Sequence, residues 1–318
     1  MNYLVLIIGF ALLIKGADLF VDGSSKIASL LKVPSILIGL TIVAFGTSSP
    51  EATVSIMAAI NGNVEVTLGN VIGSNIFNIT LVIGLTAFLT PLKVESETIR
   101  KEIPFTLLAS IALLILLSDT SLQFTNDNLI TPGDGLIFLL FFLIFMYYIF
   151  EVARSSRDNG ASTDYRADRV TWIKYIFYTL LGLSAIIYGG NLVVKSSTKI
   201  AYSLGMSETL VGLTIVAIGT SLPELITSIT AAIKRQSEIA LGNIIGSNIF
   251  NILFVLGISS VISPLKVDNK IFFDIILMIF LTLVLLVFSR THFKVAKFEG
   301  IILALAYLLY LVYIISRN

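Results

Sequence analysis

The chain has 318 residues, 56% of them hydrophobic and 13% charged, with a net charge of +1 and a mean hydropathy of +0.96. Soluble globular chains carry about 25% charged residues, so the composition excludes that class and indicates an integral membrane protein. The absence of cysteine excludes disulfides, thiolate metal sites and cysteine nucleophiles; the lone His292 leaves no two-histidine zinc motif, and near-neutrality argues against a nucleic-acid partner.

Ten apolar stretches of about 20 residues are each long enough to cross a hydrocarbon core as a helix. They lie near 3–25, 35–60, 66–89, 102–118, 133–153, 172–195, 207–232, 239–262, 270–289 and 297–315. The first lacks a basic leader and a small-residue cleavage signal, so it is expected to stay as a helix. It ends in GADLFVDGSSKIA (16–28), which returns as GGNLVVKSSTKIA at 189–201, an offset of 173. Asp18 aligns there with Asn191, making the two copies chemically unequal. Asp18 and Asp22 read either as solvated groups near Lys26 or as groups close to a functional site.

The second stretch carries the central motif. Residues 36–51 read ILIGLTIVAFGTSSPE and 209–224 read TLVGLTIVAIGTSLPE, identical at 12 of 16 positions. Pro50 lacks an N–H and Gly46 tolerates unusual angles, so backbone carbonyls nearby are expected to be freed as cation ligands. Glu51 follows Thr47 by four residues and Ser48 by three, which puts all three on one helical face. Carbonyls, hydroxyls and a carboxylate form the all-oxygen set that hard cations such as Ca²⁺ and Na⁺ prefer. One copy alone reads as a proline kink whose hydroxyls satisfy the backbone. Two copies, each with a carboxylate at membrane depth, read as the halves of one ion site.

The third stretch opens with LGNVIGSNIFN (68–78) and is matched by LGNIIGSNIFN (241–251), identical at 10 of 11 positions. Gly69 with Gly73, and Gly242 with Gly246, are small-residue pairs suited to close helix packing. Packing alone does not call for Asn70, Ser74, Asn75 and Asn78 in hydrocarbon, where unpaired amides are costly. Ser74 and Asn78 are four apart and are expected to face Glu51. The fourth and fifth stretches are apolar wall. Residues 154–171 are polar and read as an exposed linker, followed by Trp172, Tyr175 and Tyr178 at a membrane interface, with Tyr307, Tyr310 and Tyr313 at the other end.

Five helices per repeat force the second copy to enter the membrane inverted. Alternating the loops puts 15 basic residues on one side, among them Lys26, Lys93, Arg154, Lys234 and Lys294, against five on the other: Lys195, Lys199, Lys266, Lys270 and Arg317. This bias makes the linker cytoplasmic and both termini external. The expected fold is therefore all-α and integral to the membrane, with ten transmembrane helices in two inverted-topology five-helix repeats and discontinuous helices at the ion site. The repeats span 1–153 and 172–318, joined by the cytoplasmic linker 154–171.

Gly-Thr-Ser-x-Pro-Glu in both halves, each followed by Gly-Asn-x-Ile-Gly-Ser-Asn-Ile-Phe-Asn, resembles the two alpha-repeats of the calcium/cation antiporter superfamily, most closely its prokaryotic sodium/calcium exchangers. The resemblance spans essentially the whole chain. It implies a core of the second, third, seventh and eighth helices, across which the first and sixth slide during alternating access. It implies Ca²⁺ on Glu51, Glu224, Thr47 and Thr220. The same residues would join Na⁺ sites completed by Ala44, Ser48 and Ser74 in one half and Ala217, Ser221 and Ser247 in the other, with Asn78 and Asn251 finishing the middle. Some relatives carry Asp where this chain has Asn251. Two carboxylates neutralise one Ca²⁺ and fall one charge short of three Na⁺, which fits electrogenic exchange and argues against a K⁺ site. The expected function is Na⁺/Ca²⁺ antiport across the plasma membrane, with a proton/calcium or other divalent-cation antiporter as the alternative and a cation channel less favoured. No enzyme activity, cofactor or obligatory protein partner is expected; the partners are the transported ions and the lipid bilayer.

Overall fold

The computed structural model describes residues 2–122, 124, 126–159, 169–205, 217–268 and 270–317. The first part of the second central motif, 209–216, lies outside the described residues, as does 160–168 of the linker. The chain is almost entirely helical. Helix α1 is Asn2–Leu31; α2 (Ser35–Thr47) and α3 (Ser49–Ile60) meet at a bend of 51° at Ser48. Then come α4 (Val66–Leu89), α5 (Ile103–Leu116), α6 (Pro132–Asn159) and α7 (Arg169–Ser203). The short α8 (Ala217–Thr220) and α9 (Leu222–Ile233) precede α10 (Ser237–Ile262), α11 (Lys270–Arg290) and α12 (Lys297–Arg317). Among the described residues seven helices are long and apolar enough to cross a membrane, and the bent α2/α3 pair makes eight.

Two helices sit inside the others. The apolar windows of α4 and α10 are 78% and 83% buried, whereas those of α6 and α12 are 17% and 22% buried and form the lipid-facing wall. This explains where the asparagines went: a polar side chain is tolerated at membrane depth only when enclosed by protein. Four short strands clasp the two halves. β1 (Leu92–Lys93), β2 (Leu129–Ile130), β3 (Leu265–Lys266) and β4 (Lys294–Val295) form two antiparallel ladders, β1 with β4 and β2 with β3. Each ladder joins the segment after a core helix of one half to the segment before the last helix of the other. The outer helices follow: α12 packs on the end of α4, and α6 on the end of α10.

The two long helices α1 and α7 run antiparallel in backbone contact. Gly9, Gly16 and Gly23 recur every seventh residue on α1, facing Gly189, Gly182 and Thr179 of α7. A Cβ on Gly16 would fall 2.9 Å from the Gly182 carbonyl oxygen, and one on Gly182 would fall 2.7 Å from that of Gly16. Such contact is the membrane substitute for a hydrophobic drive between helices.

Four helix ends run beyond the apolar stretches marked in the sequence. Residues 154–159 and 169–171, at the two ends of the expected linker, continue α6 and α7 as helix, and α1 and α7 run past their apolar stretches to Leu31 and Ser203. Hydropathy marks where hydrocarbon ends; the backbone keeps its hydrogen-bond ladder until a breaker or a turn stops it. Asp18 and Asp22 meet Lys234 from the turn after α9, at 2.6 and 2.7 Å.

Candidate ion-binding site

The break at Ser48 builds the site. Ser48 leaves the helical region (φ −80°, ψ 5°), and Ser221 does the same in the second copy (φ −93°, ψ 9°). Pro50 and Pro223 then fall in the first turn of α3 and α9, where the missing N–H would have had no helical partner anyway. A new helix therefore starts just after the break, and its first turn carries Glu51 in one copy and Glu224 in the other. The Ala44 carbonyl, expected to be freed, accepts the Ser48 N–H at 2.9 Å and lies 3.3 Å from Thr47 Oγ1; a carbonyl keeps a second lone pair for a further partner.

The two copies cross. Ser48 Oγ donates to Glu224 Oε1 and Ser221 Oγ donates to Glu51 Oε1, both at 2.8 Å. Each carboxylate is thus held by the other half of the chain. Glu51 and Glu224 are 1% exposed, yet their second oxygens, Glu51 Oε2 and Glu224 Oε2, have no hydrogen-bond donor.

A ladder of amides between α4 and α10 adds two more such oxygens. Asn75 Nδ2 donates to the Asn248 carbonyl at 3.3 Å, and Asn248 Nδ2 returns to the Asn75 carbonyl at 3.5 Å. The amide oxygens of this pair accept Asn78 Nδ2 (onto Asn248, 3.0 Å) and Asn251 Nδ2 (onto Asn75, 3.3 Å). Their NH₂ groups being used, Asn78 and Asn251 are left with Oδ1 buried and unpaired. These are four buried acceptors without donors, two on each half; oxygens of this kind are what hard cations take as ligands. Among the described residues no three His, Asp or Glu side chains converge, so the site's formal charge rests on these two carboxylates.

The remaining expected residues divide. Thr47 is buried, with its hydroxyl 2.9 Å from Asn243 Oδ1. Ser247 Oγ is buried without a partner, whereas Ser74 donates to the Asn70 carbonyl one turn earlier. Thr220 is buried at the end of α8, and Ala217 opens that helix. Phe45 stacks on Phe250, the residue before Asn251, at 4.7 Å, and Phe77, before Asn78, meets Tyr307 edge-on at 5.1 Å; these rings pack apolar surface beside the polar centre.

Against known families, residues 1–151 and 174–316 match the profile described as sodium/calcium exchanger protein. The chain belongs to this family. It is 33% identical to the sodium/calcium exchanger MaX1 of Methanosarcina acetivorans, over 98% of this chain and 97% of that one. It is also 33% identical to the inner membrane protein YrbG of Escherichia coli, over 90% and 89%. Among solved structures it resembles the sodium-calcium exchanger NCX_Mj, with a TM-score of 0.83 at 31% identity over 100% of this chain and 99% of that one in the form soaked without Na⁺ and Ca²⁺. A form soaked with Na⁺ and Sr²⁺ gives 0.85 at 30% identity.

In this member of the sodium/calcium exchanger family, Asn70 and Asn75, whose amides packing alone does not call for, brace the centre together with their counterparts Asn243 and Asn248. Asn70 Nδ2 donates to the Glu51 carbonyl (3.2 Å) and Ser55 Oγ (2.9 Å); Asn243 does the same to the Glu224 carbonyl (3.3 Å) and Ser228 Oγ (2.9 Å). Asn75 and Asn248 orient the amides described above. The signal was present in the doubled Gly-Asn-x-Ile-Gly-Ser-Asn, whose asparagines recur at the same offset as the glutamates.

Proposed function

We propose that this chain is a Na⁺/Ca²⁺ antiporter working by alternating access, with the crossed Glu51/Glu224 centre as its shared ion site. The observation that carries this reading is the set of four buried, donor-free oxygens on Glu51, Glu224, Asn78 and Asn251. One Ca²⁺ neutralises both carboxylates. Na⁺ competes for the same oxygens, with Thr47, Ser48, Ser74 and the Ala44 carbonyl serving one half, and Thr220, Ser221, Ser247 and the Ala217 carbonyl the other. Three Na⁺ against two carboxylates leave one net charge to move per cycle. Emptied, two bare carboxylates in a low dielectric resist crossing, which enforces exchange over leak.

The same reading assigns ten transmembrane helices to two inverted repeats, 1–153 and 172–318, joined by the segment 154–171. The antiparallel run of α1 against α7 and the reciprocal strand ladders support it. The basic residues favour a cytoplasmic 154–171 segment and external termini in the plasma membrane. The test is Ca²⁺ uptake by proteoliposomes loaded with Na⁺ and diluted into Na⁺-free medium, with K⁺-loaded and acid-loaded vesicles in parallel. Uptake that requires internal Na⁺ is expected. Uptake driven by acid-loaded vesicles instead would make protons the counter-ion.

A further inference from the structure

We infer that Lys234, together with Asp18 and Asp22, is a latch that ties α1 to the core and holds the carrier closed on its cytoplasmic side; this rests on the exchange reading and the orientation proposed above. Lys234 is the first residue after α9, the helix whose first turn carries Glu224. Its ammonium lies 2.6 Å from Asp18 Oδ1, 2.7 Å from Asp22 Oδ1 and 2.8 Å from the Asp18 carbonyl oxygen. An ammonium has three protons, so every donor is committed to one helix. Asp18 and Asp22 are one turn apart and share a face of α1. Burial opposes the charge on Lys234, but the two aspartates outweigh it and hold its pKa above the ordinary lysine value. The Lys234 ammonium therefore stays charged at any physiological pH.

Three further features mark this contact as the junction between the α1/α7 pair and the core. The glycine-lined contact makes α1 and α7 one body, so pinning α1 pins both. An open cavity of about 710 Å³ lies where that body meets the core, lined by Asp22, Ser25, Lys26, Tyr175, Tyr178 and Lys234. Nearby on α1, Ser24 is fully buried with Oγ unpartnered. The repeat does not carry this tie over: at the offset of 173, Asp18, Asp22 and Lys234 correspond to Asn191, Lys195 and Asn61, a set with no carboxylate. Two halves of otherwise matched chemistry thus differ in how firmly each end is closed. Lys234 acts through the helices and touches no ion, so it is a positioning residue.

The chain's lack of cysteine makes Ser24→Cys a clean reporter. In vesicles with the cytoplasmic face outward, a membrane-impermeant maleimide should label this thiol slowly while Lys234 is intact. Lys234→Gln should speed labelling about two- to fivefold, the size expected from a partly exposed ion pair, and Lys234→Arg should not. Asp22→Asn, which breaks one contact, should move the rate the same way by less. In transport, Lys234→Gln should lower the half-saturating Ca²⁺ on the cytoplasmic face and raise it on the external face by a similar factor. An unchanged labelling rate, or half-saturation values that move together, would overturn the latch. Faster labelling in a protein that moves no Ca²⁺ for Na⁺ would leave the latch standing and remove the exchange reading.

Discussion

At the scale of single residues, the proposed chemistry rests on oxygen atoms that folding has stripped of donors. Glu51→Gln or Glu224→Gln keeps the shape and removes one of two charges, so Ca²⁺ transport should be lost; near-normal uptake by either variant would reject the assignment. Ser48→Ala and Ser221→Ala each delete a hydroxyl that holds a buried carboxylate. A hydrogen bond to a charged group contributes about 1.5–3 kcal/mol to stability, so each variant should be less stable by about that much, read as a lower melting temperature in detergent. Asn251→Asp adds a third carboxylate to the proposed site and should change Na⁺ and pH dependence, measured as initial uptake rates. The glutamates and serines were legible from their doubled motif. Which serine serves which glutamate was not, because the pairing crosses between halves, and no local spacing encodes a contact 170 or 176 residues away.

At the scale of elements, the proline motif is a helix start, not a kink with loose carbonyls. Reading Pro50 as a breaker located the discontinuity; placing it in the first turn of α3 required knowing that Ser48 ends α2. Helix packing can be checked at Gly246, where a Cβ would lie 2.6 Å from the Leu40 carbonyl oxygen and 2.8 Å from Ala44 Cβ. Gly246→Val should force α2 from α10 and cost about 1–3 kcal/mol, seen as a lower melting temperature in detergent. The small-residue pair Gly242/Gly246 was readable as a packing signal from its spacing. Its partner helix was not, since glycine records closeness without identity. The ends of α1 and α7 were misjudged because polar residues beyond the hydrocarbon prolong a helix as readily as they end one.

At the scale of the whole molecule, internal repetition was the most informative property of the sequence, and the same offset aligns the residues that form the crossed centre. The reciprocal ladders and the seating of α6 and α12 on the opposite half were beyond it, being long-range pairings of two-residue strands. With two carboxylates and a three-for-one exchange, Na⁺-driven Ca²⁺ uptake should be accelerated by an inside-positive potential, and electroneutral uptake would reject that stoichiometry. The central claim, that one oxygen cage serves both ions, is tested most directly by Ca²⁺ binding to the purified protein as Na⁺ is raised. The account predicts one Ca²⁺ per chain in Na⁺-free buffer, displaced competitively and with a Hill coefficient above one by Na⁺, and absent from the Glu51→Gln/Glu224→Gln double variant. Ca²⁺ binding indifferent to Na⁺, or retained at full affinity by that variant, would contradict it.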